Sequence, residues 1–205
     1  PYDQNAAASF FDSEWMFGLK QGSAGIPACD SLPSRQTGMS APLSHSPQPQ
    51  GPFDIVIGNP PYIRIQTLKK KDPKLVEFYK NEYDSAAKGN YDLYVVFIEA
   101  GLRLLKSDGH LAYICPHKFF NAQYGEPLRE LISHGKYLKQ VVHFGDEQVF
   151  PGATIYTCLL FLAKGGSPDC RFTKAHNLEE WKVSPAGFHG KFPASTISNA
   201  EWNFT

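Results

Sequence analysis

The apolar residues of this chain fall into two kinds of pattern from residue 53 onward. Short runs rich in β-branched and aromatic residues alternate with longer stretches whose apolar positions have helical spacing. The pattern predicts strands at 53–58, 110–116, 138–144 and 155–162, and helices at 91–106 and 125–134. Strands that alternate with helices are typical of an open α/β sheet with helical crossovers.

The ends of these elements carry their own signals. The run at 53–58 ends at a glycine and two prolines, and its β-branched residues suit a strand buried on both faces. Ser107-Asp108-Gly109 is predicted to end the first helix. The link 145–154 is too short for a helical crossover, so the last two strands are predicted to form an antiparallel hairpin.

Composition divides the chain into four segments. Residues 1–20 include an aromatic stretch, which predicts a docking segment, and 21–52 are rich in Gly, Ser, Pro and Gln without a period, which predicts a linker or disordered loop. Residues 53–164 are the predicted α/β domain. Residues 165–205 are predicted to form a C-terminal extension toward a DNA-recognition region, and their one recognisable feature is a docking segment at Trp202.

Charge and cysteine content narrow the class of protein. Lys and Arg number 20, as do Asp and Glu, so a surface that is basic overall is excluded and any DNA contact must be local. The four cysteines lack CxxC spacing, which favours reduced thiols and no metal site. No apolar stretch is long enough to span a bilayer and no leader pattern is present, so a soluble, cytoplasmic protein without a membrane partner is expected.

The candidate chemistry lies directly after the first predicted strand, where open α/β sheets place their ligands. This segment, called the catalytic loop below, consists of Asn59, Pro60, Pro61 and Tyr62. The two prolines fix their own φ angles and push the preceding residues out of the helical region. A stiff, extended loop is therefore predicted.

A stiff loop of this composition suits methyl transfer to an exocyclic amine. The amine of adenine is a poor nucleophile because its lone pair is delocalised into the ring. If the Asn59 side-chain oxygen and the Pro60 carbonyl accept hydrogen bonds from this amine, the nitrogen becomes able to attack a methyl sulfonium. Both acceptors also stabilise the positive charge that develops on the nitrogen. Tyr62 offers an aromatic face on which a base flipped out of the duplex could stack. The alternative is that Asn-Pro-Pro forms a plain turn.

Four ordered motifs resemble a known family. The matching stretches are Phe53–Ile63, Gly89–Glu99, Leu104–Gly109 and Val149–Thr154. Residues 53–163 resemble the later half of the N6-adenine-specific DNA methyltransferases of restriction-modification systems, in the class whose cofactor motif precedes the catalytic motif. The resemblance implies a partial Rossmann-like α/β methyltransferase sheet that comprises strands four to seven, the last antiparallel.

The resemblance also implies a cofactor, S-adenosyl-L-methionine, and residues that hold it. Phe97 would lie near its adenine ring, while Asp92 and Tyr94 would shape that side of the pocket. The alternatives are a core position for Phe97 and a helix cap for Asp92. The family's glycine-rich cofactor loop, and the acidic residue that ends its second strand, are not found in these 205 residues. The first half of the sheet is therefore expected in cis or on another chain, and without it this segment is expected to lack turnover.

Positive charge follows the catalytic loop closely. The basic residues are Arg64, Lys69, Lys70, Lys71 and Lys74. They are predicted to contact DNA phosphates, with a solvated helix face as the alternative. The expected partner is double-stranded DNA with a flipped adenine, and Phe188 and Phe192 are candidates for the second face of a base sandwich.

Two other functions stay open at this point. Asn-Pro-Pro-Tyr also occurs in methyltransferases that modify a glutamine side chain in translation factors, although the basic segment and Asp92-Leu93-Tyr94 favour the DNA enzymes. A non-catalytic DNA-binding remnant or subunit is the second alternative, and it predicts DNA binding that does not depend on Asn59.

Overall fold

The computed structural model describes residues 51–147, 149–150, 156–175, 178–183 and 188–204. The predicted docking segment at 1–20 and the predicted linker up to residue 50 lie outside the described residues, as does Cys29. The described part of the chain therefore begins at residue 51, just before the first predicted strand.

The described residues build one six-stranded sheet. Its strands are β1 (Phe53–Gly58), β2 (Leu105–Pro116), β3 (Leu138–His143), β4 (Thr157–Ala163), β5 (Asp169–Lys174) and β6 (Phe188–Pro193). Their spatial order is β1-β2-β4-β3-β5-β6. Pairs β1·β2 and β3·β5 are parallel and the other three are antiparallel. Since β4 runs antiparallel between β2 and β3, the predicted reversal of the last core strand is confirmed.

Five α-helices of the described residues accompany the sheet. They are α1 (Ile65–Lys71), α2 (Pro73–Glu82), α3 (Tyr94–Leu104), α4 (Glu126–His134) and α5 (Leu178–Val183). The two predicted helices correspond to α3 and α4 and are confirmed. The sequence did not reveal α1, α2, α5, β5 or β6. In α2, Pro73 stands in the first turn and the Asp72 carboxylate accepts a 3.0 Å hydrogen bond from the Leu75 amide, so a local cap defines its start.

The burial predicted for β1 was wrong. Phe53, Ile55 and Ile57 are 50%, 62% and 76% exposed, because these alternate residues share the face of β1 that the described elements leave uncovered. In the described sheet β1 is also an edge strand that pairs with β2 alone. The predicted role of Ser107-Asp108-Gly109 was also wrong. The helix already ends at Leu104, and the three residues bulge out of the ladder between β1 and β2, where the register shifts.

The main core lies between the sheet and helices α3 and α4. Nearly all of α3 is buried, including Tyr94, Val95 and Ile98. The predicted docking of Trp202 is confirmed: its amide donates to the carbonyl of Phe120 at 3.0 Å, and its ring packs against Phe119 and Phe120. The buried Arg129 of α4 fixes this region, because its guanidinium donates to the carbonyls of Phe119, Ala122 and Asn199.

Cysteine state and membrane character bear on the broad class. Cys115, Cys158 and Cys170 are buried free thiols, as the sequence predicts. Within the described ranges, no helix has both the length and the apolar character needed to cross a bilayer.

Candidate active site

The catalytic loop leaves the carboxyl end of β1 with its asparagine facing solvent. Asn59 is exposed while the next residue, Pro60, is buried. Among the described residues, the Asn59 side chain has no hydrogen-bond partner. The amide is therefore free to bind a ligand, whereas a buried proline fixes the backbone beside it.

Tyr62 anchors the other end of the loop. Its hydroxyl donates a 3.0 Å hydrogen bond to the carbonyl oxygen of Ile114 in β2. Its ring meets the buried ring of Tyr94 edge to face, with centroids 6.4 Å apart. Partial burial raises the pKa of Tyr62 well above its ordinary value, so the hydroxyl stays a hydrogen-bond donor across the physiological pH range.

The segment after the loop is tied to the start of α3. The Ile65 amide donates to the Tyr91 carbonyl at 2.9 Å, and the Leu93 amide donates to the Ile63 carbonyl at 2.7 Å. These two bonds form an isolated antiparallel bridge in which Arg64 faces Asp92. Two of the motifs identified in the sequence are thereby brought into backbone contact.

Two hydroxyl groups link Asp92 to Tyr94, whose ring in turn contacts the ring of Tyr62. The Tyr124 hydroxyl donates to Asp92 Oδ2 at 3.2 Å and lies 3.0 Å from the Tyr94 hydroxyl. Burial raises the pKa of Tyr94 and of Tyr124, so both phenols stay protonated. The structure thus places Asp92 and Tyr94 beside Tyr62. Tyr124 was missed because it lies in a short 3-10 turn that leaves no periodic pattern in the sequence.

The structure contradicts the helix-cap alternative for Asp92 and agrees with the core alternative for Phe97. Asp92 does not cap α3, because the capping position is Leu93 and no side chain bonds to the first turn. Its Oδ1 has no hydrogen-bond partner among the described residues. Phe97 is 6% exposed, which fits packing in the core.

The basic residues lie on the surface next to the loop. Lys69, Lys70 and Lys71 form the exposed last turn of α1, Lys74 is exposed in the first turn of α2, and Arg64 is exposed beside the loop. The position of this group, called the basic cluster below, is compatible with phosphate contact. Phe192 is half-buried and packs edge to face on Phe204, so its ring contributes to an aromatic cluster; both Phe188 and Phe192 belong to β6 rather than to an irregular tail.

A pair of histidines, which the sequence did not predict, lies at the carboxyl ends of β2 and β3, the same end of the sheet as the catalytic loop. His117 follows β2 and His143 ends β3, with ring centroids 4.1 Å apart. Burial and the neighbouring His117 lower the pKa of His143 to about 4, and burial lowers the pKa of His117. His143 Nδ1 accepts a 2.9 Å hydrogen bond from the Gly145 amide. Because the two residues are far apart in the chain, no local pattern could reveal the contact.

The chain is similar in sequence to methyltransferases of restriction-modification systems. The profile of the Eco57I restriction-modification methylase family matches residues 5–150. The chain is 40% identical over 129 residues to the type II restriction enzyme and methyltransferase RM.Eco57I of Escherichia coli, a match that covers 63% of this chain and 13% of that protein. It is 32% identical over 134 residues to the type II methyltransferase M.PaeR7I of Pseudomonas aeruginosa, covering 63% of this chain and 22% of that protein.

A solved structure shows the same fold. A Listeria monocytogenes protein, described as a class I S-adenosylmethionine-dependent methyltransferase, superimposes with a TM-score of 0.50 at 18% identity. The match covers 66% of this chain and 40% of that one. The fold is therefore the Rossmann-like α/β methyltransferase type.

Proposed function

The chain belongs to the Eco57I restriction-modification methylase family, and on that premise we propose that it carries the catalytic loop of an S-adenosylmethionine-dependent DNA methyltransferase acting on the N6 amine of adenine. The chain spans less than a quarter of the length of the two relatives described above, so the whole enzyme includes more than these residues. The fragment alone is expected to be inactive.

The observation that carries the proposal is the contrast between Asn59 and the residues around it. Its amide is exposed and unbonded among the described residues, yet Pro60 is buried and Tyr62 is fixed to β2. A flexible acceptor would have to reorganise during the reaction, whereas an acceptor on a fixed backbone acts without that cost. This arrangement suits a group that polarises a substrate.

The residues of the loop then have distinct roles. Asn59 Oδ1 and the Pro60 carbonyl accept hydrogen bonds from the adenine amine, which localises the nitrogen lone pair. As the nitrogen gains its new bond it becomes positively charged, and the two oxygens stabilise that charge. The product ammonium is acidic enough to lose a proton to water, so no strong base is required. The Tyr62 ring stacks on the extruded base.

S-adenosyl-L-methionine, when bound, supplies the methyl group on a sulfonium centre. The described residues fit one side of such a cofactor. Asp92 keeps an acceptor oxygen free next to the catalytic loop, and Tyr124 fixes the other oxygen. Tyr94 completes this side through its contact with Tyr62, and Phe97 lies in the same helix. We assign Asp92 and Tyr94 to the cofactor side on these contacts, and Phe97 on its position in the same helix alone.

The exposed edge of β1 supports a cofactor-binding half elsewhere, in cis or on another chain. The outer backbone edge of β1 is unpaired in the described sheet, and its Ile55 and Ile57 side chains are largely exposed. An unpaired edge with exposed β-branched residues is a ready template for another strand. A strand of the missing half would pair here and bring the rest of the cofactor site beside Asn59.

The proposed substrate is double-stranded DNA from which one adenine is flipped. The basic cluster lies directly after the catalytic loop and is exposed, so it is placed to contact the phosphates that flank the target nucleotide. Flipping costs a few kcal/mol, and stacking of the base on an aromatic ring returns roughly 1–3 kcal/mol.

The test is product identification with a polypeptide that joins this chain to the cofactor-binding half. It is incubated with methyl-labelled cofactor and either duplex DNA or a translation-factor substrate, and the digested products are analysed by mass spectrometry. N6-methyladenine is expected. Methylated cytosine would refute the adenine assignment, methylglutamine would favour the protein-modifying alternative, and DNA binding without any methylated product would favour the non-catalytic one.

A further inference from the structure

A second polar site lies toward the edge of the sheet opposite β1, where it spans strands β3, β5 and β6. Gln140, Arg171 and Lys191 are register partners across these three strands, and Val142, Thr173 and His189 form the next row. Register partners project to the same face of a sheet, so the six side chains form one continuous patch.

A cavity of about 410 Å³ lies over this patch. Its lining includes the six side chains and Trp181 from α5, whose ring packs edge to face on Phe144 with centroids 5.5 Å apart. This volume is within the range of ordinary ligand pockets. The strands therefore form the floor of the cavity, and an aromatic residue held by the core forms part of its side.

The lining is rich in hydrogen-bond donors. Trp181 Nε1 is buried without a hydrogen-bond partner, and the Arg171 guanidinium has no ion-pair partner among the described residues. Lys191 pairs with Asp169 at 2.9 Å, but its own side chain is 69% exposed. Among the described residues that line the cavity there is no carboxylate.

The charge arrangement points to an anion. Arg171 and Lys191 face each other directly in an antiparallel pair, and like charges in that position destabilise a sheet. The Asp169 carboxylate pairs with Lys191, which leaves Arg171 as the cation without an ion-pair partner among the described residues. An anion bound between them would remove the repulsion. The orphaned indole N–H, which is costly to leave buried, would gain an acceptor at the same time. Arginine is suited to phosphate because its planar fork can bind two oxygens.

We propose that this cavity binds a phosphodiester group of the DNA backbone, with Arg171 and Lys191 as the charged contacts and Trp181 as a neutral donor. The DNA source of the phosphate rests on the proposed function. The patch is distinct from the basic cluster, since β1 and β6 are five strand spacings apart, about 24 Å at roughly 4.8 Å per spacing. The distance between β1, the strand before the basic cluster, and β6 is thus less than one turn of B-DNA, about 34 Å.

The test measures DNA affinity against salt concentration. A labelled duplex is titrated by fluorescence anisotropy between 50 and 200 mM salt, with wild type, Arg171→Gln and the double variant Arg171→Gln/Lys191→Gln. The slope of log K against log salt is negative, and each lost phosphate contact reduces its magnitude by about 0.9, so reductions of about 0.9 and about 1.8 in magnitude are expected. Trp181→Phe keeps the aromatic packing and should weaken binding without changing the slope.

The matched control is Lys106→Gln, which removes a cation that pairs with Asp54 at the other side of the sheet. It should keep the wild-type slope, and thermal unfolding verifies that each variant is folded. Unchanged slopes in the folded Arg171 variants would overturn the proposal, as would inorganic phosphate binding that depends on Arg171 while DNA binding does not. Methyl transfer is assayed separately, so a protein that shows the slope changes but no methylation would refute the proposed function and leave this site standing.

Discussion

The hydroxyl of Tyr62 donates a 3.0 Å hydrogen bond to the carbonyl oxygen of Ile114. This bond joins the last residue of the catalytic loop to β2, the strand that also pairs in parallel with β1. The loop is thus held at one end by its own strand and at the other by the neighbouring strand. Its geometry depends on Tyr62 as well as on the two prolines.

Tyr62→Phe is predicted to lower kcat modestly. The substitution removes the bond to Ile114 and keeps the ring, so the expected loss is about 3- to 10-fold, equivalent to one ordinary hydrogen bond. Tyr62→Ala also removes base stacking and should cost a further 1–3 kcal/mol, roughly, of transition-state stabilisation. Single-turnover methylation measures both variants. Equal rates for Phe and Ala would show that the ring does not stack on the substrate.

Neutralising the lysines of α1 is predicted to reduce the salt dependence of DNA binding. Lys69→Gln/Lys70→Gln/Lys71→Gln should reduce the magnitude of the negative slope of log K against log salt by up to about 2.7, at about 0.9 for each phosphate contact. The three side chains are exposed, so unfolding should be little affected. If the slope stays at the wild-type value, the lysines form a solvated helix face instead.

Gly125→Ala is predicted to destabilise the fold next to the candidate site. A Cβ at this position would lie 2.1 Å from the backbone oxygen of Phe119, so a side-chain rotation cannot relieve the contact. Overpacking of this kind costs about 1–3 kcal/mol, measurable by urea unfolding. The control is Gly89→Asn, because Asn tolerates the positive φ of 64° there and a Cβ finds open space. Equal stability of the two variants would contradict the packing at Gly125.

The histidine pair is predicted to make the protein less stable in acid. The pKa of His143 is lowered to about 4 in the folded protein, against about 6.5 in the unfolded chain. Between these values the unfolded state binds more protons, so the stability present above pH 6.5 is lost as the pH falls toward 4. Burial of His143 is the main cause of its lowered pKa, the half-buried His117 and Lys174 act in the same direction, and Asp146 opposes them.

His143→Asn tests this prediction. The Asn side-chain oxygen can replace Nδ1 as acceptor for the Gly145 amide, but it does not titrate. Urea unfolding at pH 7.5 and pH 4.5 should show a smaller loss of free energy of unfolding for the variant than for wild type. An identical loss in both proteins would mean that His143 does not contribute.

The sequence predicts elements where one local pattern dominates. Helical spacing located α3 and α4, and the shortness of the link after β3 correctly predicted an antiparallel β4. It failed for β1, because a β-branched run looks the same whether neighbours cover it or leave it at an edge. It failed for Ser107-Asp108-Gly109 because these residues favour a helix end and a strand bulge alike.

Several residues of the candidate site could be identified from the sequence, whereas the contacts between them are known only from the structure. Asn59, Tyr62, Asp92 and Tyr94 were identified from motifs, and the structure brings the last three together. Tyr124, the histidine pair and the patch at Arg171 depend on contacts between segments distant in the chain. Such contacts are set by strand order, which no single segment encodes.

The most direct test of the central claim is the effect of Asn59→Ala on single-turnover adenine methylation by the enzyme with its cofactor-binding half. Removal of one preorganised electrostatic group typically costs about 10²–10³ in kcat, and that loss is expected here with DNA affinity retained. Asn81→Ala, at an exposed position of α2, serves as the control and should keep the wild-type rate. Full methylation activity in Asn59→Ala would contradict the account.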